Sequence, residues 1–405
     1  MQTPSNSPHF ATLTLLSALC IFPINIYLPS LSNMASDFAV DYGTVALALG
    51  AYAAVSAGMQ LIMGPLSDRY GRRPVVLWGL AIFIAATLGC IFAPDIKTFL
   101  FFRMMQAVIA PSYAVVLAVV RDTTSKQEAA GKIASLAMVW SLAPLLGPSL
   151  GGLLDELFGW RASFWFLVIL GVSVFALCWF DLRETNKTLS RTLTEQFKAY
   201  PELFTSKRFW AYAMCMAFSV GTFYAFLAGA PLAAGSAFAL TPGTLGVLIG
   251  SITLGFIVGS YLARTFAARF ALTTTLVAGR LVACIGLVLG VALYALGIDH
   301  VLALFGPCML VGLSNGMTMP SANTGAISVR PKLIGSAAGL AAAISILGGA
   351  ALSSITGAIL TDENARIGLF LIMLGSATAA LIAALCARHL ERRSTHGKAQ
   401  NDRAA

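Results

Sequence analysis

Gly64-Pro65-Leu66-Ser67-Asp68-Arg69-Tyr70-Gly71-Arg72-Arg73 is a short polar, turn-rich stretch joining two apolar runs, residues 44–66 and 74–93. A helix of about 20 apolar residues crosses a bilayer core of about 30 Å, so each flanking run is long enough to span. Moving outward from this loop, the same alternation recurs along the chain. Twelve runs are expected to span, at 10–31, 44–66, 74–93, 98–120, 132–154, 161–181, 209–234, 243–263, 273–297, 301–325, 334–360 and 367–387. The composition agrees: 58% of the 405 residues are hydrophobic and 11% charged, where a soluble domain carries about 25% charged residues to face water. Lipid has to cover most of this surface. A soluble enzyme, a disulfide-stapled secreted domain and a disordered scaffold are all excluded.

The longest polar gap, 182–208, lies almost halfway along and divides six runs from six. The expected organisation is an all-α integral membrane protein with an N-terminal six-helix bundle at 1–181, a central loop at 182–208, a C-terminal six-helix bundle at 209–390 and a tail at 391–405. The first run is too long for the core of a signal peptide and is read as a retained span. Of the 26 Lys and Arg, only Lys97, Arg161 and Arg366 fall on one side and Arg103 and Arg280 inside runs. All the others fall on the opposite side. Basic residues in short loops resist translocation, so that side is expected to be cytoplasmic, with both termini and the central loop. The formal charge of +9 is thereby explained as topology, and no nucleic-acid partner is implied. The seven cysteines all sit in apolar runs without CxxC spacing, and are read as small buried hydrophobes rather than metal ligands or disulfides.

An offset of 195 residues pairs Gly64 with Gly259 and Arg69 with Arg264, at the loops after spans 2 and 8. Such a weak parallel repeat fits two related halves with a substrate path between them. The 64–73 stretch also resembles the signature loop of the major facilitator superfamily, Gly-x-Leu-x-Asp-Arg-x-Gly-Arg-Arg/Lys. The resemblance implies a cytoplasmic latch made by Gly64, Asp68, Arg69, Gly71 and Arg72 with Asp122 at the end of span 4, which holds the outward-open state. Physically, Gly64 permits close helix approach, Asp68 suits the positive N-terminal end of another helix, and Arg72 can pair with a carboxylate. In span 5, Pro144, Gly147, Pro148, Gly151 and Gly152 place small residues at helical spacing, with prolines that bend the helix. This string resembles the span-5 antiporter motif of drug exporters. Asn25-Ile26-Tyr27-Leu28-Pro29-Ser30-Leu31 is similar to the span-1 motif of the Bcr/CflA group of 12-span drug:proton antiporters, and Arg103 with Gln106 resembles that family's Arg-x-x-Gln.

One departure matters. The group has aspartate where this chain has Asn25, and asparagine does not titrate. Every carboxylate is expected at a cytoplasmic end or in an outside loop, Asp37, Asp155 and Glu156 among the latter. A proton-coupled carrier normally keeps an ionisable group at membrane depth, so a coupling carboxylate here is expected near an end, with Asp37 and Asp68 the nearest. Arg103 and Arg280 are the charges left inside, and a cavity holding both would be positive, favouring neutral or anionic cargo. The candidate cavity residues are Asn25, Tyr27, Gln60, Arg103, Gln106, Tyr113, Trp140, Tyr224 and Asn315, with Phe218 and Asn323 as further polar or aromatic positions within spans.

The expected function is a secondary active exporter of small amphipathic compounds, amphenicol- or bicyclomycin-like, working by alternating access and coupled to protons, in a bacterial inner membrane and as a monomer. An organic-anion or siderophore exporter with Arg103 as the anion contact is the alternative. No catalytic constellation, metal site or cofactor motif stands in any run, and without GxxxxGK[ST] ATP does not drive the protein directly. A non-transporting receptor or scaffold would need an appended signalling domain.

Overall fold

The computed structural model describes residues 8–186, 200–238, 240–267, 269–330 and 333–404. Lys187, Arg191, Lys198 and Lys332, together with most of the central loop, lie outside the described residues. Among the described residues, twelve helices are long and apolar enough to cross a membrane: α1 Phe10–Asp37, α2 Tyr42–Tyr70, α3 Arg72–Ile91, α4 Ile96–Thr123, α5 Gln127–Phe158, α6 Arg161–Asp181, α7 Lys207–Gly235, α8 Pro242–Phe266, α9 Leu272–Ala295, α10 Val301–Ser328, α11 Ser336–Ile359 and α12 Ala365–Arg393. No strand occurs among the described residues.

Several helices outrun their apolar stretches because caps, not hydropathy, fix the ends. Asp41 and Asp95 cap α2 and α4, accepting from the Thr44 amide at 2.8 Å and the Thr98 amide at 2.9 Å. Helix α5 continues past residue 154 to Phe158 and stops at Gly159, whose φ of +81° suits glycine. Helix α1 likewise continues to Asp37. These extensions correct one expectation: Asp37, Asp155 and Glu156 stand on the last turns of helices, not in loops. The helix that includes α12 runs on to Ala404, where a separate tail is expected from 391. Cys386 is exposed on α12 and Cys284 only partly buried, while the other five cysteines are buried as expected.

Two spans are broken near their middles. In α1 the helix ends at Asn25, two residues after Pro23, and resumes through a 3₁₀ turn at Leu28–Ser30 and a helix at Leu31–Asp37. In α4 a 3₁₀ turn at Ala107–Ile109 precedes Pro111. Proline offers no amide to the preceding turn, so each break frees backbone carbonyls that must find another donor.

The chain packs as two six-helix bundles that meet along two seams, α2 against α11 and α5 against α8. Asp181 at the end of α6 accepts from the His9 amide at 2.8 Å and the Thr12 hydroxyl at 2.6 Å, tying the start of α1 to the same bundle end as the Gly64–Arg73 loop. That end is the basic end, and the opposite one the far end. At the far end the bundles are in backbone contact. A Cβ added to Gly152 would overlap the carbonyl of Pro242, and one added to Gly246 the carbonyl of Pro148. Tyr42 donates to the Ala228 carbonyl at 2.6 Å across the halves. At the basic end a Cβ added to Gly58, Gly131 or Gly339 would meet nothing within 4 Å. The protein is sealed at the far end and open at the basic one.

Candidate transport cavity

A cavity of about 600 Å³ lies between the bundles and is bounded by α1, α5, α7, α8 and α10. Its lining comes from Ile21 to Asn25 on α1, Ala134 to Pro144 on α5, Val220 to Leu227 on α7, Ile252 to Ser260 on α8 and Gly312 to Met319 on α10. On α5 these positions belong to the half nearer the basic end, so the chamber opens where the bundles stand apart. Gly147 and Gly151 bring α5 onto α1, since a Cβ on Gly147 would lie 2.9 Å from Asn25 Cβ and one on Gly151 would overlap the Ile26 carbonyl. The five span-5 residues therefore form the far-end contact through Gly147, Pro148, Gly151 and Gly152, while Pro144 belongs to the cavity wall.

No charged side chain lines this chamber among the described residues. Its walls are aliphatic and aromatic, with a few polar points. Asn25 lines the chamber and donates to the Ile21 carbonyl at 3.0 Å. Trp140 and Thr253 line it from α5 and α8, and their Nε1 and Oγ1 atoms, themselves enclosed, have no hydrogen-bond partner. A buried donor with no partner is costly, and cargo bearing an acceptor can satisfy it. Ser141, Tyr224, Ser260 and Asn315 complete the polar set. Thr253, Phe223 and Phe256 escape sequence reading, because only helix facing selects them from among many similar residues.

The other expected residues lie elsewhere. Tyr113 stands behind the wall, its ring 4.4 Å from that of Trp140. Gln60 is half-buried on α2 and Asn323 is exposed on α10, while Phe218 is partly buried on α7; none of the three lines the chamber. Arg103 is wholly buried inside the N-terminal bundle. It donates to Gln106 Oε1 and, at 2.5 Å, to the Pro23 carbonyl, and its guanidinium lies between the rings of Tyr27 and Tyr52 at 4.3 and 4.4 Å. Gln106 passes the link to Thr87 on α3 at 2.8 Å. Arg103 therefore holds the broken turn of α1 in place and presents no face to cargo.

The C-terminal bundle carries a counterpart built from different positions. Arg280 on α9, also fully buried, donates to Thr318 Oγ1 at 2.9 Å and Asn315 Oδ1 at 2.8 Å, and Asn315 donates to the Ser219 carbonyl of α7 at 3.2 Å. In each half a guanidinium, an amide and a threonine tie the first helix of the bundle to its third and fourth. The expectation of a positive cavity is corrected accordingly: both cations lie behind the wall, where amides and aromatic faces hold them.

At the basic end, Arg72 stands between two carboxylates, with Nη1 2.5 Å from Asp68 Oδ1 and Nε 3.3 Å from Asp122 Oδ2. Its Nη1 also donates to Ser67 Oγ at 2.5 Å. Two features differ from expectation. A Cβ on Gly64 would meet nothing within 4 Å, because the halves are parted there. Asp68 faces its own Arg72, and the carboxylate at a helix N-terminus is instead that of Glu184, which accepts from the amides of Arg72 at 3.0 Å and Arg73 at 3.1 Å. Gly71, with φ +97°, makes room for it, since an added Cβ would overlap that carboxylate. Glu184 belongs to no recognisable motif, so nothing in the sequence marks it. Arg69 lies over the ring of Tyr70 at 5.3 Å.

Known proteins share both the sequence pattern and this architecture. The chain is 29% identical to Multidrug resistance protein D of Escherichia coli strain K12, over 98% of this chain and 99% of that protein. It is 30% identical to the Chloramphenicol resistance protein of Pseudomonas aeruginosa, over 85% of this chain and 82% of that one. Its fold matches that of a bacterial homolog of the human lysosomal transporter Spinster, solved inward-facing and unoccupied, with a TM-score of 0.77 at 16% identity, covering 94% of this chain and 96% of that one. Residues 13–353 match the pattern of the Major Facilitator Superfamily. With twelve spans in two bundles, a chamber between them and a signature loop at its mouth, the chain belongs to the major facilitator superfamily.

Proposed function

We propose that this chain is an efflux carrier for small, neutral, amphipathic compounds of the amphenicol or bicyclomycin type, moved by alternating access in exchange for protons. The observation that carries the reading is the uncharged chamber between the bundles, open at one end only, with Trp140 and Thr253 among its lining residues and their polar atoms unpartnered. Aromatic and aliphatic walls take up an apolar body, and the two polar atoms reward a molecule bearing hydroxyl, amide or nitro groups. The drug-resistance names of its relatives agree with such cargo. With the basic end read as cytoplasmic by its lysines and arginines, the chamber faces the cytoplasm of a bacterial inner-membrane carrier whose termini are on the same side, and which works as a monomer.

Rocking of one bundle against the other would break the α5–α8 contacts at the far end and bring Gly64 against the opposite half. In that closed-inside state the Asp68, Arg72 and Asp122 cluster would act as the latch. The anion-exporter reading is not favoured, because neither Arg103 nor Arg280 lines the chamber, and both are tied to protein acceptors behind its wall. A susceptibility profile of transporter-deficient bacteria, with and without the chain, tests the proposal. Raised tolerance to chloramphenicol or bicyclomycin is expected, and a change confined to anionic chelators would refute it.

A further inference from the structure

Asp155 is the one buried carboxylate among the described residues, with 6% of its surface exposed. It sits on the last turn of α5, where α1 crosses just outside the Gly151 contact. Its surroundings are neutral: Asn33 Nδ2 donates to it at 2.7 Å, and the nearby Ser30 hydroxyl is enclosed without a hydrogen-bond partner. The other acids of this region are occupied. Asp37, one turn beyond Asn33, accepts from Arg161 at 2.6 Å and Trp160 at 3.1 Å, and the exposed Glu156 accepts from the Gly243 amide at 3.1 Å. Helices α7 and α8 also touch the 28–30 turn of α1, and bring no titratable side chain: residues 225–238 and 242–260 contain none. Arg161 on α6 is held by Asp37. At the basic end Asp68 and Asp122 share Arg72. Of the acids that face the two ends of the N-terminal bundle, Asp155 is thus the one enclosed without a cation.

Enclosing an ionised carboxylate with only an amide and a hydroxyl for company costs free energy that a bound proton relieves. Its neighbours across the seam, Gly152 against Pro242, are the very contacts that must part for the far end to open. The 25–33 segment of α1 carries Asn25, a cavity wall residue, at one end and Ser30 and Asn33 at the other. Cargo pressing on Asn25 and a proton on Asp155 therefore act on the same short broken stretch, which gives two linked sites a shared mechanical element.

We propose that Asp155 is the proton-carrying group of this transporter. Resting on the efflux reading above, the step is simple: when the far end opens, the carboxylate takes one proton from water there, closure seals the neutral acid between α1 and α5, and cargo binding from the basic end favours its release to water on the basic side. No other bond is made or broken. Asparagine at position 25 is then no defect, because the titrating group lies farther out, on the partner helix.

Purified chain in liposomes, with radiolabelled chloramphenicol as probe, separates the two modes of transport. Wild type should show both gradient-driven accumulation and exchange at equal pH. Asp155→Asn, which keeps the size and the Asn33 contact site, should lose gradient-driven accumulation by roughly tenfold or more, within the span of coupling between linked sites, and keep exchange near the wild-type rate. Asp155→Glu should retain both, and so should Asp37→Asn. Full gradient-driven accumulation by Asp155→Asn overturns the assignment. So does loss of exchange in both Asp155 variants, which would make the residue a structural tie alone. A wild type that moves chloramphenicol in neither mode refutes the efflux reading instead, and one that exchanges it without regard to the gradient refutes proton coupling.

Discussion

Arg103 on α4 donates to the carbonyl of Pro23 on α1 at 2.5 Å, at the point where α1 stops being a helix. The guanidinium replaces a backbone donor lost at the break, and Tyr27 and Tyr52 sandwich it there. Removing it leaves a buried carbonyl and the Gln106 amide oxygen without their donor.

Arg103→Ala should therefore destabilise the protein by about 1–3 kcal/mol, the cost of leaving a buried acceptor unpaired. Arg103→Lys should do nearly as badly, because a point charge cannot stack between two rings and serve two acceptors. Thermal unfolding in detergent checks this. A lysine variant with wild-type stability would mean that charge alone matters at this site.

Two glycines should respond in opposite ways. At Gly151 an added side chain strikes the Ile26 carbonyl, so Gly151→Val should lower stability by about 1–3 kcal/mol through overpacking. Gly64 faces open space here, and Gly64→Leu should leave stability within about 0.5 kcal/mol of wild type. Because closure at the basic end would bring another helix onto it, the same Gly64 variant should abolish transport. Unfolding temperatures measured beside drug accumulation separate the two effects.

Glu184 caps the first turn of α3 from a distant part of the chain. Losing such a cap costs about 1 kcal/mol, so Glu184→Ala should be destabilised by that order while Glu184→Gln, which retains an acceptor, loses less. Equal losses would point to the carboxylate charge acting on the helix dipole.

Asp41 and Asp95 supply a pH dependence. The hydroxyl and amide of Thr44 hold the Asp41 carboxyl below the usual carboxylate range, and the amide and hydroxyl of Thr98 do so for Asp95. A group whose folded value is depressed contributes stability above its unfolded pKa and loses it as pH falls through the folded one. Acidification below the ordinary carboxylate range should weaken both caps, and Asp41→Asn with Asp95→Asn should flatten the acid limb of an unfolding-temperature profile.

Much of this architecture could be read from residue types alone, because lipid imposes uninterrupted apolar runs and leaves charge only at their ends. The twelve spans follow from that constraint, and the Arg72–Asp122 pair follows from a loop motif and a carboxylate at a neighbouring helix end. What could not be read is facing. Arg103 and Asn25 are both polar residues in apolar runs, yet one turns into its bundle and the other borders the chamber, a difference of helical phase that one sequence does not fix. Asp155 was hidden for another reason. The apolar run ends at residue 154, so hydropathy puts the aspartate in a loop, whereas the helix continues to Phe158 and the extension of α1 to Asp37 covers it.

Uptake into inside-out vesicles, measured for chloramphenicol and for a lipophilic cation, probes the neutral chamber most directly. Wild type should accumulate chloramphenicol in preference to the cation, and Trp140→Ala should reduce that accumulation roughly tenfold, as expected when one buried hydrogen bond and its packing, together worth about 1.4 kcal/mol, are lost. Accumulation of the cation alone, or a Trp140→Ala carrier that moves chloramphenicol as well as wild type, would contradict it.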